Sequence, residues 1–283
     1  MIYLKLLRVK HYIKNILIMI PLMFSGSFMN LTLLLKAIYG FCIFSLISSA
    51  VYIFNDISDV EKDRLHPKKK KRPIASGKVS IRTASVIAVS CICLSVILQI
   101  CLLSYLSGIC IIVYIAINYI YSKGLKNKPI IDIILLVSGF FIRLLYGAMV
   151  TGISISSWLY LTVITGAFYM SLGKRRNESK LTGKSTRTVL KYYTYEFLDK
   201  NMYVCMALLN TFYALWASEK GTLFLITVPI VMIISMKYSY SIESQPESDG
   251  DPVSVLLDDK LIMTLGLFYS IYMFIILYSN IIF

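Results

Sequence analysis

The sequence predicts an all-α, polytopic membrane protein of about nine transmembrane helices, and three observations carry that expectation. The 283 residues are 57% hydrophobic and only 16% charged, with a mean hydropathy of +0.72, more apolar surface than a water-soluble domain of this size can hide. Apolar runs of the roughly 17–25 residues needed to cross a bilayer recur from end to end, so residues 1–283 read as a single membrane-embedded domain. The charges, finally, gather between the runs and almost entirely on one side of them.

Taken in order, the first run lies near 14–29, follows Lys5, Arg8, Lys10 and Lys14, and is broken by Pro21 and Gly26. No small-residue cleavage site follows it, so the start of the chain is expected to persist as an interfacial segment. The second run, near 33–57, ends in a polar stretch from Asn55 to Arg64, and a basic loop separates it from the third, near 83–103. The fourth (107–122) and fifth (131–151) flank a loop with Lys123, Lys126 and Lys128, and the fifth carries Arg143 inside its apolar stretch. The sixth (156–173) runs into Lys174-Arg175-Arg176; the seventh, eighth and ninth lie near 201–217, 221–239 and 260–282. Cys42, Cys91, Cys93, Cys101, Cys110 and Cys205 all fall within apolar runs without C-x-x-C spacing, and read as small core hydrophobes.

With nine spans, the N-terminus, 58–82, 123–130, 174–200 and 240–259 share one side. Counted with Lys237 and Lys260, they hold 26 of the 29 lysines and arginines, against Lys36 and Lys220 opposite. The positive-inside rule makes that side cytoplasmic, in a multi-pass protein of the cytoplasmic (inner) membrane. The net charge of +14 thus follows the membrane, and nucleic acid is not an expected partner. The carboxylates, Glu219 excepted, lie on the same side; such mixed clusters suit a magnesium-bound phosphate ligand, while 240–251 reads as a solvated loop.

The stretch Asn55-Asp56-Ile57-Ser58-Asp59-Val60-Glu61-Lys62-Asp63-Arg64 is the most informative. In a continuous helix Asp56, Asp59 and Asp63 stand at i, i+3 and i+7, with Asn55 four residues before Asp59, so four oxygen ligands share one face. Like charges so placed call for a cation among them, and hard oxygens facing phosphate favour magnesium; the alternative is a solvated helix end. In the run His66-Pro67-Lys68-Lys69-Lys70-Lys71-Arg72-Pro73-Ile74-Ala75-Ser76-Gly77, Lys68 to Lys71 read as mainly topogenic. Arg72, fixed before Pro73, is the better ligand for a polyanion. His11 and His66 have no ligand-spaced partners, and Gly183-Lys184-Ser185 lacks the glycine and strand of a phosphate-binding loop.

The pattern Asn55-Asp56-x-x-Asp59-x-x-x-Asp63, with Arg64-x-His66-Pro67 and Arg72-Pro73-Ile74-Ala75-Ser76-Gly77, resembles the first aspartate motif and adjoining loop of the UbiA prenyltransferase superfamily. Within it the chain is most similar to the decaprenyl-phosphate phosphoribosyltransferase branch. Tyr121-Ser122-x-x-Leu125-Lys126, with Asp132 downstream, resembles that branch's second motif, in which a Lys and one Asp replace a second aspartate cluster. Arg143, Lys174-Arg175-Arg176-x-Glu178 and Gly250-Asp251-Pro252 with Asp258 resemble the same branch. Arg143 is either a site residue or half of a structural pair, and the Lys174 run either a ligand or a topogenic flank. Arg8-Val9-Lys10-His11-Tyr12-Ile13-Lys14-Asn15 resembles an opening motif that usually has Pro after the Arg and Trp near Tyr12; Lys14 and Asn15 keep its pattern and are expected at phosphate or lipid headgroups.

The resemblance implies a helical bundle around a central cavity, and transfer of a phosphoribosyl group from phosphoribosyl pyrophosphate to a polyprenyl phosphate for a cell-envelope polysaccharide. Asn55, Asp56, Asp59 and Asp63 would hold Mg2+; Lys126, Arg72 and Arg143 would meet phosphate, with Lys128 and Lys174 as further cations. Tyr121 and Asp132 would orient ribose hydroxyls or the Lys126 side chain, and Ser122 would contact substrate. A homo-oligomer is compatible with this reading. An aromatic prenyltransferase shares the first motif and the fold, and a transporter or lipid-binding protein would need neither magnesium nor the Asp56 face.

Overall fold

The computed structural model describes residues 2–65, 69–102, 104–181, 188–244 and 252–282, and among them all regular structure is helical. Helix α1 (Ile2–Leu6) leads into a 3-10 stretch, Val9–Met19, and then α2 (Ile20–Phe24) and α3 (Leu31–Ser58). Next come α4 (Val60–Leu65), α5 (Ile81–Cys101), α6 (Tyr105–Ser122), α7 (Ile131–Thr151) and α8 (Ser157–Leu181). The chain ends with α9 (Tyr195–Lys220), α10 (Thr222–Leu225), α11 (Thr227–Ser244), α12 (Pro252–Asp258) and α13 (Lys260–Ile282).

Side-chain caps set the starts of the long helices. Asn30, Ser80 and Thr194 accept the backbone N–H of Leu33, Thr83 and Phe197, meeting donors that a helix leaves open at its first turn. Asp259 accepts from Leu261 and Ile262 at the start of α13. Helix α3 has 28 residues, about 42 Å at 1.5 Å per residue against about 30 Å of hydrocarbon. Its polar last turns therefore reach the membrane boundary.

Among the described residues six helical segments are long and apolar enough to cross a membrane: Leu31–Ser58, Ile81–Cys101, Tyr105–Ser122, Ile131–Thr151, Thr222–Ser244 and Lys260–Tyr278. The chain is an integral membrane protein. The expected count of nine is not reached by length and composition alone. The first expected span is a 3-10 stretch followed by a five-residue helix, and α8 and α9 carry polar and charged residues within and at their ends.

The chain forms two compact units, Met1–Lys126 with Ile142–Ser154, and Asn127–Phe141 with Ile155–Phe283. The first has one core around Ile43, Phe44, Ile47, Tyr114 and Tyr146 and another around Leu6, Ala50, Ile53, Ile74 and Val79. In its first core α7 meets the 3-10 stretch so closely that a Cβ on Gly147 would lie 2.1 Å from the Ile18 carbonyl oxygen. The second unit packs α8 on α9 with Tyr169, Leu172, Leu198, Met202, Tyr238 and Ile242 at its centre. Cys91 and Cys110 are buried, but Cys42, Cys93 and Cys101 are exposed, which corrects their reading as core residues. A surface that meets lipid does not penalise an exposed thiol as one that meets water would.

Candidate active site

At the end of α3 in the first unit, charges of both signs interleave. Asp56 is 4% exposed, and its Oδ1 accepts from Arg8 and, at 2.9 Å, from Nη1 of Arg72. The same Arg72 nitrogen donates to Asp63 Oδ2 at 2.5 Å, so one positive centre stands between two buried carboxylates. Asp59 is partly exposed and takes Lys126 Nζ on both oxygens, at 2.8 and 3.0 Å. Ser122 donates to Asn55 Oδ1. The structure thus joins these residues in three sets, Asn55 with Ser122, Asp59 with Lys126, and Asp56 and Asp63 with Arg72, and adds Arg8 to the last.

Local sequence explains the placement. Arg8 has a left-handed backbone (φ 53°, ψ 45°) that ends α1 and opens the 3-10 stretch, and its guanidinium lies 5.0 Å from the Tyr52 ring centre. Arg72 is set by a compact turn in which Ser76 N–H bonds to the Arg72 carbonyl and Val79 N–H to the Pro73 carbonyl. Ile74 and Val79 of that turn bury against Ala50, Ile53 and Val60. Lys70 and Lys71 are exposed, whereas His66, Pro67 and Lys68 lie outside the described residues.

The single acidic face expected over 55–63 is interrupted. Helix α3 closes at Ser58, Asp59 leaves helical geometry (φ −101°, ψ 10°), and α4 restarts at Val60. Asp59 therefore faces Lys126, while Asp56 and Asp63 face Arg72. Among the described residues no three acidic, histidine or cysteine side chains stand close enough to share one ion. In kind the donors suit magnesium, being hard oxygens. The meeting of Asp56 and Asp63 on one guanidinium nitrogen shows two of them already directed at a common positive centre.

Arg143 lies inside the first unit, 4% exposed. Its Nε donates to Asn15 Oδ1 at 2.7 Å and its Nη2 to the Tyr114 hydroxyl at 3.0 Å, with the Phe44 and Tyr114 rings beneath the guanidinium. Asn15 is wholly buried and donates to Ser45 at 2.9 Å. Its expected headgroup contact is corrected to an interior one, because a buried guanidinium needs an oxygen partner that hydrocarbon cannot supply. Lys14 and Tyr121 are partly exposed.

In the second unit Asp132 is wholly buried; its two oxygens take Arg175 Nε at 2.7 Å and the Tyr193 hydroxyl at 2.6 Å. Arg175 also donates to Glu178 at 2.6 Å. Its neighbour Arg176, buried as well, donates to Asp199 at 2.5 Å and Glu243 at 3.3 Å. Within the Lys174 run, then, Lys174 is the partly exposed member and the two arginines are interior. Sequence reasoning missed Tyr193 and Asp199, which no motif marks, and undervalued Arg8 and Arg175. Residues 183–185, Gly250 and Asp251 lie outside the described residues.

The sequence model of the UbiA prenyltransferase family matches residues 16–257. The chain is 33% identical over 276 residues to the decaprenyl-phosphate phosphoribosyltransferase of Corynebacterium glutamicum, covering 93% of this chain and 82% of that protein. To the enzyme of the same name from Mycobacterium tuberculosis it is 31% identical over 274 residues, covering 93% and 90%. Its fold is similar to that of a UbiA homolog from Archaeoglobus fulgidus solved with GPP and Mg2+, with a TM-score of 0.72 at 18% identity over 98% of this chain and 99% of that one.

Proposed function

This chain belongs to the UbiA prenyltransferase family, and we propose that it transfers a phosphoribosyl group from phosphoribosyl pyrophosphate to a polyprenyl phosphate at the cytoplasmic face of the inner membrane. The observation that carries the proposal is the interleaved cluster at the end of α3, where Arg8, Arg72 and Lys126 stand among Asp56, Asp59 and Asp63. The names of the relatives, similar over most of their own length, support the choice of substrates.

In the reaction a phosphate oxygen of the lipid attacks the anomeric carbon, the bond from that carbon to the pyrophosphate oxygen breaks, and pyrophosphate leaves. The nucleophile is already an anion, so no strong base is required; the protein has to align the reactants and stabilise the leaving charge. Asn55, Asp56, Asp59 and Asp63 would hold magnesium, which supplies charge neutralisation at the departing pyrophosphate. Arg8, Arg72 and Lys126 exchange their carboxylate partners for phosphate oxygens. Lys128, exposed and two residues beyond Lys126 in the chain, would add a further cation, and Ser122 holds the Asn55 amide in place. Arg143 and Asn15 act from the interior by fixing the segment that carries Arg8.

The test is to incubate the purified chain with labelled phosphoribosyl pyrophosphate and polyprenyl phosphate, with and without magnesium. Labelled lipid is expected only when all three are present. Product from a prenyl diphosphate and an aromatic acceptor, with none from phosphoribosyl pyrophosphate, would replace this reading with that of an aromatic prenyltransferase.

A further inference from the structure

We infer that Tyr193 is a positioning residue, whose hydroxyl holds the chain between Asn127 and Asp132, and Lys128 with it, in the conformation that meets the donor's phosphates. The inference rests on the donor proposed above. Its starting point is Ile130, which has φ +67°, a backbone state that β-branched residues rarely adopt and that persists only where surroundings enforce it. The enforcing contacts are on hand. Ile130 N–H donates to the Tyr193 hydroxyl oxygen at 2.5 Å, and that hydroxyl donates in turn to Asp132 at 2.6 Å.

Asp132 is itself fixed by Arg175 at 2.7 Å, so Tyr193 bonds to a buried, immobile acceptor. A second tie, from the Thr188 hydroxyl to Asn127 Oδ1 at 2.8 Å, secures the other end of the same segment. Between the ties Pro129 restricts Lys128 to extended geometry, and the Asp132 N–H bonds to the Lys128 carbonyl at 3.1 Å. The side chains of Lys128 and Ile130 remain exposed. A buried acid, arginine and tyrosine are therefore spent on keeping an exposed, lysine-bearing segment in a strained shape. Burial, and then the bond to Asp132, push the Tyr193 hydroxyl above the usual tyrosine range, so it stays protonated and able to donate at working pH.

Tyr193→Phe removes the hydroxyl but keeps the ring, which stacks on Phe197 at 5.9 Å between centres. In the full-length purified chain without substrate, amide exchange over 127–132 is expected to quicken about tenfold or more. With substrates, KM for phosphoribosyl pyrophosphate is expected to rise about tenfold while kcat stays within about threefold. Adding Ile130→Gly to that variant should return KM to within about threefold of wild type, because glycine takes the left-handed state without strain. Unchanged exchange in Tyr193→Phe overturns the clamp. Faster exchange with unchanged KM overturns the positioning role, as does a joint loss of kcat and melting temperature that the added glycine does not repair. A wild-type chain inactive with phosphoribosyl pyrophosphate overturns the donor reading and Lys128's part in it, and the exchange rates then decide the clamp alone.

Discussion

Replacing Gly147 with alanine sets one methyl group against backbone. The added Cβ would stand 2.1 Å from the Ile18 oxygen, where real contacts are not found under 3.0 Å, so the 3-10 stretch has to retreat by at least 0.9 Å. No side chain can rotate away to absorb this. Arg143 lies one turn before Gly147, and Asn15 three residues before Ile18, so the retreat is expected to strain their 2.7 Å bond as well. Overpacking costs about 1–3 kcal/mol, and a bond to a buried charge contributes about 1.5–3 kcal/mol. The two effects share one displacement and do not simply add. A loss of about 3 kcal/mol corresponds to a melting temperature lower by roughly 6 °C or more at this chain length. Thermal unfolding in mild detergent, followed by the fraction that stays monodisperse, measures it. Gly266→Ala is the control, since nothing lies within 4 Å of its Cβ. Activity should fall as well, because Arg8 begins the displaced segment. A Gly147→Ala chain that melts and turns over like wild type would refute the close approach and the role assigned to the Arg143–Asn15 pair.

Asp56→Ala and Asp59→Ala are each expected to abolish turnover in chains that still insert, Asp56→Ala with a lower melting temperature because it removes the buried carboxylate that pairs with Arg8 and Arg72; near-normal rates at saturating magnesium would remove these residues from the site. Lys126→Ala should strongly weaken use of phosphoribosyl pyrophosphate, and Lys126→Arg should recover only part, because a planar fork does not reproduce an ammonium. Steady-state kinetics on both donors checks this. Reporter fusions after residues 65, 125 and 185 should read cytoplasmic, and those near 30, 105, 154 and 219 should not. Burial opposes ionisation of Asp259, but bonds from Ser241, Ile262 N–H and Lys237 outweigh it and hold the carboxyl below its ordinary value. Its contribution to stability is thus present above the unfolded value of about 3.9 and is lost as pH falls through the lower folded one. Asp259→Asn should lower the melting temperature at pH 7 and make progressively less difference in acid.

How much of this was legible in the sequence depends on the range over which each feature is decided. Apolar length and bounding charges locate the membrane helices, and α7 (Ile131–Thr151) falls where the run 131–151 puts it. The division of 221–239 at Ile226, and the 3-10 geometry of Val9–Met19, depend on packing that periodicity does not encode. In the site, Asp56, Asp63 and Arg72 are close in sequence and their grouping is local. The pairing of Asp59 with Lys126 joins residues 67 positions apart, and only the motif likeness suggested that Lys126 mattered. Tyr193 was invisible because one tyrosine among 21 carries no signal until the fold sets it beside Asp132.

The cluster at the end of α3 also bears on which ions it ignores. Three carboxylates are paired there with three cations, so an anion that reaches one of those cations has to displace a carboxylate from it. For chloride or inorganic phosphate that exchange would leave the displaced carboxylate without its cation, at greatest cost for the buried Asp56 and Asp63. A pyrophosphate carrying its own divalent cation would offset that cost, bringing positive charge to Asp56, Asp59 and Asp63 and oxygens to Arg8, Arg72 and Lys126. On the proposed function, the cluster would work as an ion exchanger, favouring a ligand that arrives with its own counter-ion over one that does not.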